Sequence, residues 1–170
     1  MEGQNKLSCI EGIEIDLLKG QRALIFPKYS EEKLLESDQI DKWNGRALSE
    51  IEALKVEDTI SDTVALFNIG SPAANWVLLF VAKDRRQFSL PSLLAAMEIQ
   101  HQKEEIDALA ETIEGADLLR DFTSNVWSCS RNSAYGGWIA YGYGYGGKGG
   151  YCLYRANLAV PTILYREEEI

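Results

Sequence analysis

The sequence has little of what metal sites and disulfide frameworks require. It contains one histidine, His101, and three widely spaced cysteines, Cys9, Cys129 and Cys152. No cysteine pair has the close spacing of a zinc site, so we expect no metal and no other cofactor. The odd cysteine count disfavours a disulfide framework. Free, buried thiols are therefore favoured, with a Cys129–Cys152 bridge as the open alternative.

Net positive charge and long apolar runs are also missing. The formal net charge is -9, and such a surface repels phosphate, so we expect no nucleic-acid partner. No apolar run approaches the roughly 20 residues of a membrane-spanning helix, so membrane insertion is not expected. The first residues lack the apolar region of a signal peptide. This favours a cytoplasmic or virion-associated protein over one exported by the Sec pathway.

The composition that is present is typical of one globular domain covering residues 1–170, with 46% hydrophobic and 25% charged residues. We expect an α+β fold. Residues 1–70 are predicted to hold strands and loops. IEGIEID and RALIF alternate like half-buried strands around a turn at Leu18–Gln21. A polar loop with a little helix follows over 28–42, and apolar spacing favours a short helix over 47–54.

Helix start signals dominate the chain from residue 71 onward. Ser71 before Pro72 predicts a helix that runs through AANWVLLFVAK, and Ser92 predicts the cap of a second helix. A third apolar stripe, with Ile106, Leu109, Ala110 and Ile113, continues to Gly115. The acidic residues on its other face are best interpreted as solvated surface rather than catalytic groups. They are Glu104, Glu105 and Glu111.

Glycine and aromatic residues replace acidic ones between residues 125 and 154. This composition predicts short strands joined by tight glycine turns. In WIAYGYGY the side chains alternate, so Trp138 shares one face with Ala140. If Trp138 points inward, the other face is exposed. That face carries Ile139, Tyr141, Tyr143 and Tyr145. We expect Trp127 and Trp138 in the core. A phosphate-binding loop is excluded because no Gly-Lys-Ser/Thr follows the glycines.

Five short motifs follow one another along the chain: Pro72-Ala73-Ala74, Leu90-Pro91-Ser92, QKEEIDALAETI, Trp127-Ser128-Cys129 and Gly137-Trp138. With them, residues 71–170 resemble the formylglycine-generating-enzyme-like branch of the C-type lectin fold, found in gut-bacterial and phage proteins. The resemblance implies two or three helices packed on small antiparallel sheets, with glycine/tyrosine-rich C-terminal hairpins. Cys129 departs from the pattern by replacing a serine. The calcium-binding Glu-Pro-Asn and Trp-Asn-Asp strings of sugar-binding lectins are missing.

The segment from Ser128 to Asn157 also resembles the diversified region of variable proteins from diversity-generating retroelements. Tyrosine, serine, glycine and asparagine are the residues of antibody binding loops, which favours a recognition surface. We therefore expect a ligand-binding module for a protein or a glycan. The predicted binding residues are Arg131, Asn132, Tyr135, Ile139, Tyr141, Tyr143, Tyr145, Lys148, Tyr151, Tyr154, Arg155 and Asn157.

Other interpretations of the same residues stay open. The tyrosines can instead pack in the core, because a glycine-rich strand opposite aromatic rings is a common packing solution. A structural role, as a subunit of a phage or of a cell surface, is a second open interpretation. An enzyme of the formylglycine-generating type would use a reactive pair, Cys129 and Cys152, but no histidine base accompanies them.

Overall fold

The computed structural model describes residues 12–18, 20–122, 124–133, 136–141 and 148–166. Over these residues the chain is a mixed α+β protein with two sheets, neither of which closes into a barrel. The predicted α+β class is thus confirmed. Five α-helices are present in the described ranges, more than the two or three that were predicted.

The first sheet joins the two ends of the described chain. Strands β1 (Ile13–Asp16) and β2 (Gln21–Ile25) form the predicted hairpin, and β8 (Thr162–Arg166) pairs with β2 on its other side. All neighbours are antiparallel, in the order β1-β2-β8. Isoleucines of β1 are buried and its acidic residues are exposed, the pattern of a half-buried strand. Gly20 takes φ 79° in the connecting turn, a conformation that glycine adopts at little cost.

The second sheet has five strands in the order β3-β7-β4-β5-β6. Its pairs are antiparallel except β4 with β7, which are parallel. The strands are β3 (Ser30–Lys33), β4 (Val126–Ser133), β5 (Gly136–Ala140), β6 (Lys148–Cys152) and β7 (Ala156–Ala159). The β4–β5 ladder shifts register on both sides of Arg131, as at a β-bulge. Strand β3 corrects the prediction that 28–42 is mainly loop, although a 3-10 helix does form at Ser37–Lys42.

Two of the helices begin at the side-chain caps that were predicted for them. Ser71 and Ser92 accept hydrogen bonds from backbone N–H groups three residues later, each at 3.1 Å. Such caps satisfy donors that the first helical turn leaves unpaired. No helix in the described ranges has the length and apolar character needed to cross a membrane. The helices are α1 (Glu50–Leu54), α2 (Thr59–Asn68), α3 (Pro72–Val77), α4 (Leu93–His101) and α5 (Lys103–Ala110), followed by a 3-10 turn at Leu119–Asp121.

Helix α3 is shorter than predicted, because it ends at Val77. Beyond it the chain buries Phe80 and Phe88 in an aromatic cluster with Phe26. The ring centroids of Phe26 and Phe80 lie 4.8 Å apart, and those of Phe26 and Phe88 lie 5.4 Å apart. Aromatic burial of this kind stabilises by more than one further helical turn would contribute.

The five-stranded sheet is covered on both faces. One face packs with the first sheet and helices α4 and α5, in a cluster that includes Ile99, Val126 and Ala140. The opposite face packs with helices α2 and α3 and with Leu34 and Leu35, which follow β3, in a cluster that includes Trp127 and Ile139. A strand between two apolar layers has no solvent face along its buried length, and this decides which predicted site residues are accessible.

Candidate functional site

The predicted binding residues fall into three groups by position. Tyr135, Tyr143 and Tyr145 lie outside the described residues. Ile139 and Asn157 are 0% and 2% exposed, so the prediction that they contribute to a surface is wrong. The others are half-buried or exposed, as a binding surface requires. They are Arg131, Asn132, Tyr141, Lys148, Tyr151, Tyr154 and Arg155.

Ile139 and Asn157 are buried because both faces of the second sheet are covered. Ile139 points into the Trp127 cluster, while its neighbour Ala140 points into the cluster on the other face. Asn157 lies on β7, which runs between β3 and β4. Trp127 is fully buried, as predicted. Trp138 is only half-buried, and its indole N–H donates to the carbonyl oxygen of Leu48 at 2.9 Å.

Accessible site residues cluster around β6, the edge strand of the second sheet. In the described part of the chain β6 pairs only with β5. Tyr141 stands beside one end of this strand and Tyr154 follows the other, with 38% and 46% of their surface exposed. A five-residue strand is roughly 15 Å long. We call β6 together with Asn132, Tyr141 and Tyr154 the edge-strand surface.

Two glycines of β6 let side chains lie directly against its backbone. A Cβ atom at Gly149 would collide with the phenol of Tyr141, and one at Gly150 would collide with the amide of Asn132. Tyr141 is thus held against the strand while much of its ring remains exposed. Close packing of this kind restricts the side chain before any ligand arrives.

The edge-strand surface rests on a rigid aromatic base. The ring of Tyr151, in β6, meets the ring of Trp127 nearly edge-on, with centroids 6.3 Å apart. The Trp127 indole N–H donates to the carbonyl oxygen of Glu32 at 2.8 Å, which ties β4 to β3. Lys148, at the start of β6, forms an ion pair with Glu50 at 3.0 Å. The surface is therefore connected to strands and a helix rather than carried by a free loop.

The Cys129–Cys152 disulfide, the alternative considered from the sequence, does not form. Cys129 and Cys152 are both free. Cys129 is buried, and burial raises the pKa of its thiol far above the ordinary value, which disfavours a thiolate at neutral pH. Cys152 lies at the end of β6, where its hydrogen bond with Tyr154 raises the pKa of the tyrosine.

Arg131 has a different environment from the tyrosines. Its guanidinium stacks over the ring of Trp43, 4.8 Å from the centroid, and donates to the carbonyl oxygens of Trp43 and Gly45 at 2.7 and 3.0 Å. It therefore clamps the 43–45 segment onto β4. Nearby lie Asp62 and Cys129, 67 positions apart, which no local sequence pattern connects.

No family model matches the chain, and neither the curated proteins nor the solved structures contain a match to it.

Proposed function

We propose that the chain is a recognition module that binds a macromolecular ligand through the edge-strand surface. The observation that carries the proposal is the pair of exposed tyrosines, Tyr141 and Tyr154, at either end of a glycine-bearing edge strand. A tyrosine offers a large apolar ring and a hydroxyl at the cost of freezing only two torsions. Support from the buried Trp127 lowers the ordering cost of binding.

The edge strand favours a protein ligand over a glycan. An unpaired strand edge presents backbone N–H and C=O groups to which an extended peptide segment can add as a further strand. The space that a Cβ atom would take at Gly149 and at Gly150 is filled by Tyr141 and Asn132, so such a segment would meet these two side chains beside the strand. A glycan ligand is the other outcome that the experiment below distinguishes.

The C-type-lectin-like fold and the relation to variable proteins of diversity-generating retroelements also belong to this proposal. The described helices pack on two small, mainly antiparallel sheets, in keeping with the implied fold. Asn132 and Tyr141, residues of the type found in antibody binding loops, lie against glycines of the edge strand and belong to the segment whose composition suggested diversification.

The proposal predicts that binding depends on the exposed tyrosines. Phage-displayed peptides and a glycan array serve as two separate probes of the immobilised chain. Replacing Tyr141 and Tyr154 together with serine is expected to weaken binding of the selected ligands at least about tenfold, because each ring is a candidate anchor of roughly 1 kcal/mol or more. The melting temperature should change little, since both rings are already substantially exposed.

Phe67→Ser is the matched control. Phe67 lies on α2, away from β6, and is 44% exposed, close to the exposure of Tyr154. Its replacement removes a similar exposed ring and should leave binding unchanged. Equal losses in the control and in the double-tyrosine variant would contradict a specific surface. Enrichment of no ligand by either probe would overturn the proposed function.

A further inference from the structure

The sequence holds one Asn-Gly pair, Asn44-Gly45, and it lies in the segment that Arg131 clamps onto β4. Glycine has no Cβ atom, so the approach of its backbone nitrogen to the side-chain carbon of the preceding asparagine is unhindered. At every other asparagine the next residue carries a side chain. A Cβ atom at position 45 would lie 2.7 Å from the indole nitrogen of Trp43, so packing also favours glycine there.

The two groups that would react in this pair are not engaged elsewhere. The Asn44 side chain is exposed, and among the described residues its amide has no hydrogen-bond partner. Over the same ranges the Gly45 N–H donates to no backbone oxygen. Residues 43–49 belong to no helix or strand. No ladder of backbone hydrogen bonds therefore fixes the peptide group between the two residues.

Water and a positive charge are both close to the pair. Asn44 and Gly45 line a cavity of about 290 Å³ between the 43–48 segment, helix α2 and strand β4. That volume corresponds to roughly ten water molecules at about 30 Å³ each. The Arg131 guanidinium donates to the carbonyl oxygens of Trp43 and Gly45, on either side of Asn44, at 2.7 and 3.0 Å. Such a charge stabilises negative charge that develops beside it during a reaction.

We propose that Asn44 is a site of spontaneous deamidation. The Gly45 nitrogen loses its proton to hydroxide and forms a bond to Cγ of Asn44. The bond from Cγ to Nδ2 then breaks, and the amide nitrogen takes a proton from water and leaves as ammonia. Water opens the resulting cyclic imide at one of its two carbonyl carbons. Opening at Cγ leaves an aspartate at position 44, and opening at the backbone carbon leaves an isoaspartate. The net reaction consumes one water molecule and needs no oxidant, reductant or cofactor.

The isoaspartate product disrupts the contact that holds the segment. Its main chain runs through the side-chain carbons, so one additional carbon separates the carbonyl groups of Trp43 and Gly45. In the unmodified chain a single nitrogen of Arg131, Nη1, donates to both of these oxygens. The Arg131 guanidinium also stacks 4.8 Å from the centroid of the Trp43 ring. A longer backbone moves the two carbonyl groups apart, and the shared hydrogen bonds are lost.

Peptide mapping by mass spectrometry tests the proposal on the folded chain, incubated at pH 8 and 37 °C. The mass change that replaces an amide with a carboxyl group is expected at position 44, and electron-transfer fragmentation should show both the aspartate and the isoaspartate product. Conversion should be at least about tenfold faster than at Asn68 and Asn75, which are also exposed but precede an isoleucine and a tryptophan. A synthetic peptide of residues 42–46 gives the rate of the unfolded sequence.

Asn44→Gln is the matched control for the reaction. Glutamine keeps the amide, but its longer side chain must close a six-membered ring, so position 44 should remain unmodified over the same incubation. Conversion of the peptide with none in the folded chain would overturn the proposal, and so would equal conversion at positions 44, 68 and 75. The control variant should bind ligands of the edge-strand surface normally, because the reaction does not depend on that surface.

The consequence for the segment has its own test. The purified isoaspartate form is expected to melt about 2–4 °C or more below the unmodified chain, the shift that loss of one hydrogen bond gives a chain of this size. Asn44→Asp has the new charge with the original backbone length and should melt close to the unmodified chain. Equal melting temperatures for the isoaspartate form and Asn44→Asp would show that the longer backbone does not release the Arg131 contact.

Discussion

Replacing Trp127 with alanine is expected to lower the free energy of unfolding by about 3–5 kcal/mol. The indole is 0% exposed and packs against Tyr151 and the position of Gly137, so its removal leaves a large cavity. The hydrogen bond from the indole N–H to the carbonyl oxygen of Glu32 is lost as well. Urea unfolding followed by far-ultraviolet circular dichroism measures the change.

Trp138→Ala is the comparison that isolates burial. Trp138 also donates its indole N–H to a backbone carbonyl group, that of Leu48, but the side chain is only half-buried. Its replacement should cost clearly less than that of Trp127. Trp127→Phe keeps most of the ring contact and should cost an intermediate amount. Equal losses at 127 and 138, or a loss below about 1 kcal/mol at 127, would show that the second sheet does not depend on this buried ring.

Features of the fold that depend on neighbouring residues could be predicted from the sequence. The caps at Ser71 and Ser92 and the hairpin turn at Gly20 each involve groups only a few positions apart. Helix α2 was missed for a different reason, because its buried face includes Thr59 and Thr63. The Thr63 hydroxyl donates to the carbonyl oxygen of Thr59 and accepts from the Leu90 N–H, so a polar residue takes a core position.

Helix α5 shows how a distant contact overrides an apolar stripe. The predicted stripe correctly includes Ile106 and Ala110, which are 0% and 1% exposed. Leu109 is 52% exposed, whereas Asp107 is 3% exposed. Asp107 turns inward because its carboxylate accepts hydrogen bonds from the 3-10 turn at Leu119–Asp121. Periodicity alone contains no information about that turn.

The candidate site was predictable in part. Strand alternation was expected to leave one face of the Trp138 strand exposed, and Tyr141 is exposed at the end of β5. The same alternation failed for Ile139, because helices α2 and α3 and the segment that follows β3 cover the second face of the sheet. The Asp62–Cys129 contact joins residues 67 positions apart. Such pairs follow from tertiary packing, and the sequence has no local pattern that marks them.

Replacing Asp107 with alanine is expected to cost roughly 3–5 kcal/mol, the second large effect. Its Oδ1 accepts from the Leu119 N–H at 2.6 Å, and its Oδ2 accepts from the Arg120 N–H at 3.0 Å. Hydrogen bonds to a charged acceptor contribute about 1.5–3 kcal/mol each, and the Leu119 donor would remain buried without a partner. Differential scanning calorimetry and urea unfolding give the change in melting temperature and in free energy.

Asp107→Asn and Asp121→Ala complete this test. Asparagine keeps one carbonyl oxygen as an acceptor, so Asp107→Asn should lower the free energy of unfolding by less than Asp107→Ala does. Asp121 belongs to the same 3-10 turn but is exposed, and its replacement should change the free energy of unfolding by less than about 0.5 kcal/mol. If Asp107→Ala costs no more than Asp121→Ala, the carboxylate does not hold the turn against α5. Because that turn leads into β4, loss of the contact should also loosen the strand that supports the edge-strand surface.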